Sequence, residues 1–287
     1  MAQIKVSDLT FCYEGSYDNI FEHVSFIIDT DWRLGFIGRN GRGKTTFLNL
    51  LLGKYGYKGE INTPVTFDYF PFMVEDETVC TLTVIKQIIA PFAQWEREMA
   101  ACLADGSKEA LEGYGNLLDL YEKHDGYQIE ELIQKEAAKL AVPIDTLTRP
   151  FSTLSFGERT KLMLSGLFLK KNNFLLIDEP TNHLDVEGRN NLAEYLSTKK
   201  GFLLVSHDRA FLDRCINHVL SINKTNIEVQ KGNYSSWQLN KDMQDTNEIE
   251  RNKKLKKDIL RLEESVKKTV GWSDKVERSK IGCGVAD

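Results

Sequence analysis

The chain has 287 residues, 41% of them hydrophobic, with 28% charged residues and a formal net charge of −5. That is core enough for one large domain or two modest ones, and the acidic balance argues against a protein that wraps nucleic acid with its whole surface. Cys12, Cys80, Cys102, Cys215 and Cys283 are odd in number and form no C-x-x-C pair, which speaks against a disulfide framework or zinc site and for a reducing, cytoplasmic setting. The start, Met1-Ala2-Gln3-Ile4-Lys5, has no apolar signal core, and no apolar run approaches the ~18 residues that span a bilayer. The reading is therefore of no direct membrane insertion.

Residues 2–30 read as β structure: Val24, Phe26 and Ile28 alternate with Ser25 and Asp29, and Gly15 marks a turn before them. Leu34–Ile37 is a short apolar run entering a Gly-rich turn, and a helix follows from about Lys44 to Leu52, stopped by Gly53. From about 79 to 141 the text becomes helical and amphipathic, which suits an inserted helical lobe. Phe174–Ile177 and Phe202–Val205 are continuous apolar runs separated by a helical stretch, the pattern of buried parallel strands in a crossover unit. From about Leu239 the chain turns basic (Lys253, Lys254, Lys256, Lys257, Arg261, Lys267, Lys268), with Leu255, Ile259, Leu262 and Val266 at coiled-coil spacing.

Three motifs carry chemistry. Gly38-Arg39-Asn40-Gly41-Arg42-Gly43-Lys44-Thr45 fits G-x-x-x-x-G-K-[ST]. Backbone N–H groups must point inward around phosphate oxygens, which calls for glycines where a Cβ would clash. The helix beginning near Lys44 offers its positive end to the same anion. Lys44 is expected to reach the β- and γ-phosphates of a nucleotide, and Thr45 to ligate Mg²⁺. Phe174–Glu179 is a buried strand ending in two acids; Asp178 is expected to hold Mg²⁺ and Glu179 to orient and polarise an attacking water. Leu154-Ser155-Phe156-Gly157-Glu158 opens a helix of about Phe156–Lys170. Ser155 and Glu158 have capping-box spacing, and Gly157 leaves amides open to an approaching phosphate.

The phosphate loop, Leu154–Glu158, Asp178-Glu179 and Ser206-His207-Asp208 stand in the order and rough spacing of ATP-binding cassette (ABC) ATPases, and the chain resembles that family. The resemblance implies an α/β P-loop NTPase cassette: a RecA-like core, an antiparallel β subdomain, a helical subdomain and a C-terminal linker helix. It implies an ATPase using ATP and Mg²⁺. Glu179 and His207 would be the catalytic pair, His207 as the switch histidine at the γ-phosphate. Tyr13 would stack on adenine, with Tyr17 as the alternative. Gly38, Asn40, Gly41, Gly43, Lys44, Thr45 and Thr46 would bind nucleotide in one cassette. Ser155 and Gly157 would do so across a cassette pair, and Thr45 and Asp178 would hold the metal. Two positions depart from the family. Phe156 stands where a glycine is usual. Phe72, in Tyr69-Phe70-Pro71-Phe72, stands where a Gln usually contacts Mg²⁺ and water. Phe72 cannot ligate a metal, so either a neighbour such as Asp68 substitutes or Mg²⁺ has one contact fewer.

Glu179-Pro180-Thr181-Asn182-His183-Leu184-Asp185 resembles the ABC-F subfamily, soluble cassette proteins that act on ribosomes. So do Tyr121–Tyr127, Gly232–Trp237 and Trp272-Ser273-Asp274-Lys275-Val276-Glu277, the last nearest to the antibiotic-resistance branch. That branch protects ribosomes from lincosamides, streptogramin A compounds and pleuromutilins. By this resemblance residues 1–238 are a nucleotide-binding domain with a helical insertion at about 72–165, and 239–287 begin an inter-domain linker. The partners would be a second ABC cassette, as a missing half or a homodimer, and the 70S ribosome with its RNA and tRNA at the exit site. The competing readings are an ABC transporter ATPase subunit and a non-catalytic ATP-dependent interaction module.

Overall fold

The computed structural model describes residues 2–39, 41–223 and 226–281. The chain opens with two antiparallel strands, β1 (Gln3–Phe11) and β2 (Phe21–Asp29), followed by β3 (Arg33–Ile37) and helix α1 (Lys44–Leu51). Strands β4 (Lys58–Asn62) and β5 (Thr66–Phe70) precede a helical lobe of α2 (Thr81–Ile89), α3 (Phe92–Asp105), α4 (Lys108–Lys123) and α5 (Ile129–Lys139). Helix α6 (Phe156–Leu169) returns the chain to β6 (Asn173–Asp178), α7 (Val186–Thr198), β7 (Phe202–Val205) and α8 (Arg209–Cys215). The hairpin β8 (His218–Asn223) and β9 (Asn226–Lys231) follows, then helix α9 (Tyr234–Ile281).

Two sheets form. One has order β2-β1-β4 and is antiparallel; the other has order β5-β6-β7-β3-β8-β9, parallel from β5 to β8 with β9 antiparallel at its edge. The apolar runs behave accordingly: every residue of β7 is buried, as are Phe174–Ile177 of β6, because helices and the second sheet cover both faces. In β3 Ile216 packs closely on Gly35, where a Cβ would lie 2.5 Å from Ile216 Cδ1 and 3.3 Å from its Cγ2, so a larger residue would have to displace that side chain.

Helix α1 lies between the two sheets. Fully buried Phe47 meets Phe21 and Phe26 of β2 at ring-centroid distances of 5.9 and 5.7 Å, and Phe36 of β3 at 5.4 Å. Burying such a ring contributes roughly 2–3 kcal/mol, and here it also fixes where the helix begins. The lobe is tied to the core by a buried cluster: Glu136 of α5, 8% exposed in its side chain, accepts from Tyr195 Oη at 2.5 Å, from Lys139 Nζ at 2.7 Å, and from Lys199. Burial alone would raise the Glu136 carboxyl; the three hydrogen bonds outweigh it and hold the group below its ordinary range.

Residues 1–234 form one compact unit and residues 235–287 another. In the second unit α9 runs as a single helix, with Leu255, Ile259, Leu262 and Val266 exposed. Among the described residues no helix is long and apolar enough to cross a membrane. Cys283 and the rest of 282–287 lie outside the described residues, as do the side chains of Trp272–Glu277.

Candidate functional site

The turn from β3 into α1 is shaped by its glycines. Gly41 and Gly43 have φ of 76° and 90°, the left-handed region, and a Cβ on Gly43 would lie 2.6 Å from Ile20 Cγ2. Gly43 caps α1 without any side-chain hydrogen bond, and the first turn holds no acid. The free amides and positive end of this helix are therefore not neutralised locally. Lys44 Nζ donates back to Gly38 O at 2.7 Å and Arg39 O at 3.4 Å, folding the amine over the loop. Burial lowers the Lys44 pKa, against the opposing charges of Asp178 and Glu179. Asn40 lies outside the described residues.

The acids arrive from β6. Strand β6 lies next to β7, and β7 next to β3, so the loop, the acids and His207 all stand at the carboxyl ends of neighbouring parallel strands. Glu179 bends the chain with φ 50°, its N–H bonded to Val205 O at 2.9 Å; a non-glycine residue held there costs about 1–3 kcal/mol. Its Oε1 is buried without a hydrogen bond, and His207 Nε2 lies 3.6 Å away. Burial raises both carboxyls. At Asp178 the Tyr69 hydrogen bond and the charges of Lys44 and His207 oppose it; at Glu179 His207 opposes it and Asp178 adds to it.

Tyr13, Gly41, Gly43, Lys44, Thr45, Thr46, Asp178, Glu179 and His207 thus border one open cavity of about 490 Å³. Tyr13 stands at its rim, 41% exposed, with its hydroxyl 2.7 Å from Thr46 Oγ1 and its ring edge-on to Phe11 and Tyr55. Tyr17 is fully exposed. Ser155 and Gly157 are not on this cavity. Ser155 caps α6 with the expected capping box: its Oγ accepts from Glu158 N at 3.3 Å, while its N–H and hydroxyl donate to Glu158 Oε2, each at 2.8 Å.

Asp68 is not a substitute for a missing metal contact. It sits mid-strand on β5, held by Lys170 at 2.7 Å and Asn173 at 2.9 Å. Its neighbour on the chain does reach the acids: Tyr69 Oη donates to Asp178 Oδ2 at 3.1 Å, and burial with the Asp178 charge pushes the phenol up to about 12. Sequence reasoning missed Tyr69 because the parallel register, Tyr69 opposite Leu176, joins strands about a hundred residues apart. It also missed Arg159, which donates to Leu154 O at 3.2 Å, Ser152 O at 2.8 Å and Glu77 at 2.8 Å, clamping the turn before Ser155.

The family pattern described as ABC transporter matches residues 21–182, more than half of the chain. The chain belongs to this family. As an ABC ATP-binding domain it is 31% identical over 236 residues to the tylosin resistance ATP-binding protein TlrC of Streptomyces fradiae, covering 77% of this chain and 43% of that protein. It is 29% identical over 264 residues to the energy-dependent translational throttle protein EttA of Escherichia coli (strain K12), covering 84% of this chain and 46% of that one. Against the putative ATP-binding protein YdiF of Bacillus subtilis the figures are 28% identity, 92% and 43%. The chain therefore spans under half the length of these relatives. Among solved structures, an ATP-binding subunit of an ABC transporter superposes with a TM-score of 0.57 at 20% identity, covering 79% of this chain and 89% of that one. The fold is the ABC cassette fold: an α/β core, an antiparallel sheet and a helical lobe.

Proposed function

We propose that this chain is an ABC-F-type cassette that binds and hydrolyses ATP and acts on the ribosome, with a second cassette completing the site. The observation that carries the ATPase reading is the meeting of Lys44, Thr45, Asp178, Glu179 and His207 on one cavity. In this reading the loop amides and Lys44 bind the phosphates, Tyr13 carries the base, Glu179 holds the attacking water and takes its proton, and His207 orients the γ-phosphate. The buried Oε1 of Glu179, without a hydrogen bond and 3.6 Å from His207 Nε2, suits a group that holds a water. The donor set suits Mg²⁺: a hard cation takes oxygen ligands and keeps some of its waters, and Thr45 and Asp178 are a hydroxyl and a carboxylate on the same cavity. When bound, Mg²⁺ would neutralise phosphate charge. Ser155 and Gly157, away from the loop of their own chain, would serve the site of a second cassette.

The ribosomal part is supported by Asn182-His183 after the acids and by two relatives, one named for tylosin resistance and one for throttling translation. Antibiotic protection is the finer proposal, and a cytoplasmic location goes with it. A Glu179→Gln variant should pellet with 70S ribosomes in ATP and stay in the supernatant in ADP. No ATP-dependent pelleting, even with a second cassette supplied, would overturn the ribosomal reading. A transporter ATPase subunit would instead co-purify with a membrane partner.

A further inference from the structure

Strand β5 puts a phenol beside the acids at the end of β6. Thr66–Phe70 pairs in parallel with Asn173–Ile177, Phe67 opposite Phe174 and Tyr69 opposite Leu176. Side chains alternate along a strand, so Leu176 and Asp178 share a face, and Tyr69 reaches diagonally to the residue two places beyond its partner. There its Oη donates to Asp178 Oδ2 at 3.1 Å. The ring is held in turn, with Lys54 Nζ over its face at 5.5 Å from the centroid. Among the described residues this is the one hydrogen bond to the Asp178 carboxylate, and it leaves Oδ1 free. Lys44 Nζ is turned to the carbonyls of Gly38 and Arg39, and His207 Nε2 stands 3.6 Å from Glu179. Pairing of the strands does not need the phenol, because the backbone ladder joins them and Asn173 also holds Asp68.

We propose that Tyr69 is a positioning residue for the metal site, fixing one oxygen of Asp178 so that the other is presented to a divalent cation. A phenol suits this task. It gives one proton and carries no charge at neutral pH, so it fixes a carboxylate without neutralising it. A lysine or arginine in its place would compete with the cation for the same charge. A carboxylate left to turn about its own bonds would have to be ordered by the cation, at a cost in affinity. Carboxylates that hold metals are hydrogen-bonded in turn, and losing such a partner costs about 10- to 100-fold in metal affinity. The proposal rests on the reading above that Asp178 takes Mg²⁺; it adds that Tyr69, acting only through Asp178, sets how tightly.

The affinity of the intact chain for a fluorescent non-hydrolysable ATP analogue, measured in Mg²⁺ and in EDTA, gives the metal's own contribution as a ratio. Tyr69→Phe keeps the ring and removes the donor. It should lower that ratio about tenfold, while the affinity in EDTA and the thermal midpoint of the empty chain stay near those of the parent. Asp178→Asn should lower the ratio as well, and Tyr69→Phe added to it should lower it no further. An unchanged ratio in Tyr69→Phe, with or without a lower thermal midpoint, would leave the bond a strand tie only and overturn the proposal. So would two losses that add, since Tyr69 would then act without Asp178. A ratio that Asp178→Asn leaves unchanged would instead overturn the reading of Asp178 as the metal residue, and this proposal with it.

Discussion

Two helices begin near the candidate site, and they begin differently. Helix α1 starts at Gly43 with no side-chain cap and no acid in its first turn. Helix α6 starts at Ser155 with a closed capping box and Glu158 in its first turn. The first end is left chemically open while its body is locked in the core through Phe47. The second is satisfied from within, and an anion approaching it must compete with the Glu158 carboxylate for the Ser155 hydroxyl. The contrast separates a helix end left open, where the proposed reading seats a phosphate, from one that is satisfied without a ligand.

The largest expected effect lies at the open end. Lys44→Ala should cut ATP affinity roughly 30- to 100-fold by calorimetry, the loss of one charge-assisted contact, with the thermal midpoint little changed. Retained affinity would show that the amine in its Gly38-bound position does not serve the phosphates. Next comes the glycine pair. Gly43→Ala must accept a left-handed φ and a contact of 2.6 Å with Ile20, whereas Gly157→Ala meets Leu184 Cδ2 at 3.2 Å with an ordinary helical backbone. Chemical denaturation should show a loss of about 1–3 kcal/mol for the first and under about 1 kcal/mol for the second. Equal losses would erase the distinction between the two ends.

Smaller effects sharpen the closed end. Ser155→Ala should cost about 1 kcal/mol through the lost cap. The capping box should also titrate. Burial would raise the Glu158 carboxyl, but the bonds from the Ser155 hydroxyl and amide outweigh it and set the group below the ordinary 4.5. A carboxyl lowered on folding contributes stability that is full above its unfolded value and is lost as pH falls through its folded value. Unfolding of the parent chain should therefore ease below about pH 4.5 in a way that Glu158→Gln does not share. Coincident pH profiles for the two proteins would show that the box contributes nothing in solution.

The capping box, the glycine turn and the apolar strands were all legible because each depends on residues a few positions apart. Ser155 and Glu158 satisfy one another wherever a helix starts, and Gly41 and Gly43 are needed by the turn itself. Which of the two alternatives at Phe72 holds, Asp68 as a substitute or one metal contact fewer, was not legible for the opposite reason. Whether Asp68 or Tyr69 turns toward Asp178 depends on how β5 pairs with β6 across the whole helical lobe, and side chains alternate faces along a strand. One residue of register exchanges the two.

By itself, then, the amino-acid order determined the local chemistry: a turn able to surround phosphate, acids at the end of a buried strand, and a self-capped helix. Only the tertiary structure decided what those groups share. It put Tyr69 on Asp178, brought Glu179 and His207 to 3.6 Å of one another, and made one pair of acids the wall between a polar cavity and an aromatic one. Such meetings are set by strand order and register between segments distant in the chain, and no short pattern encodes those, because they are chosen by the packing of the whole core.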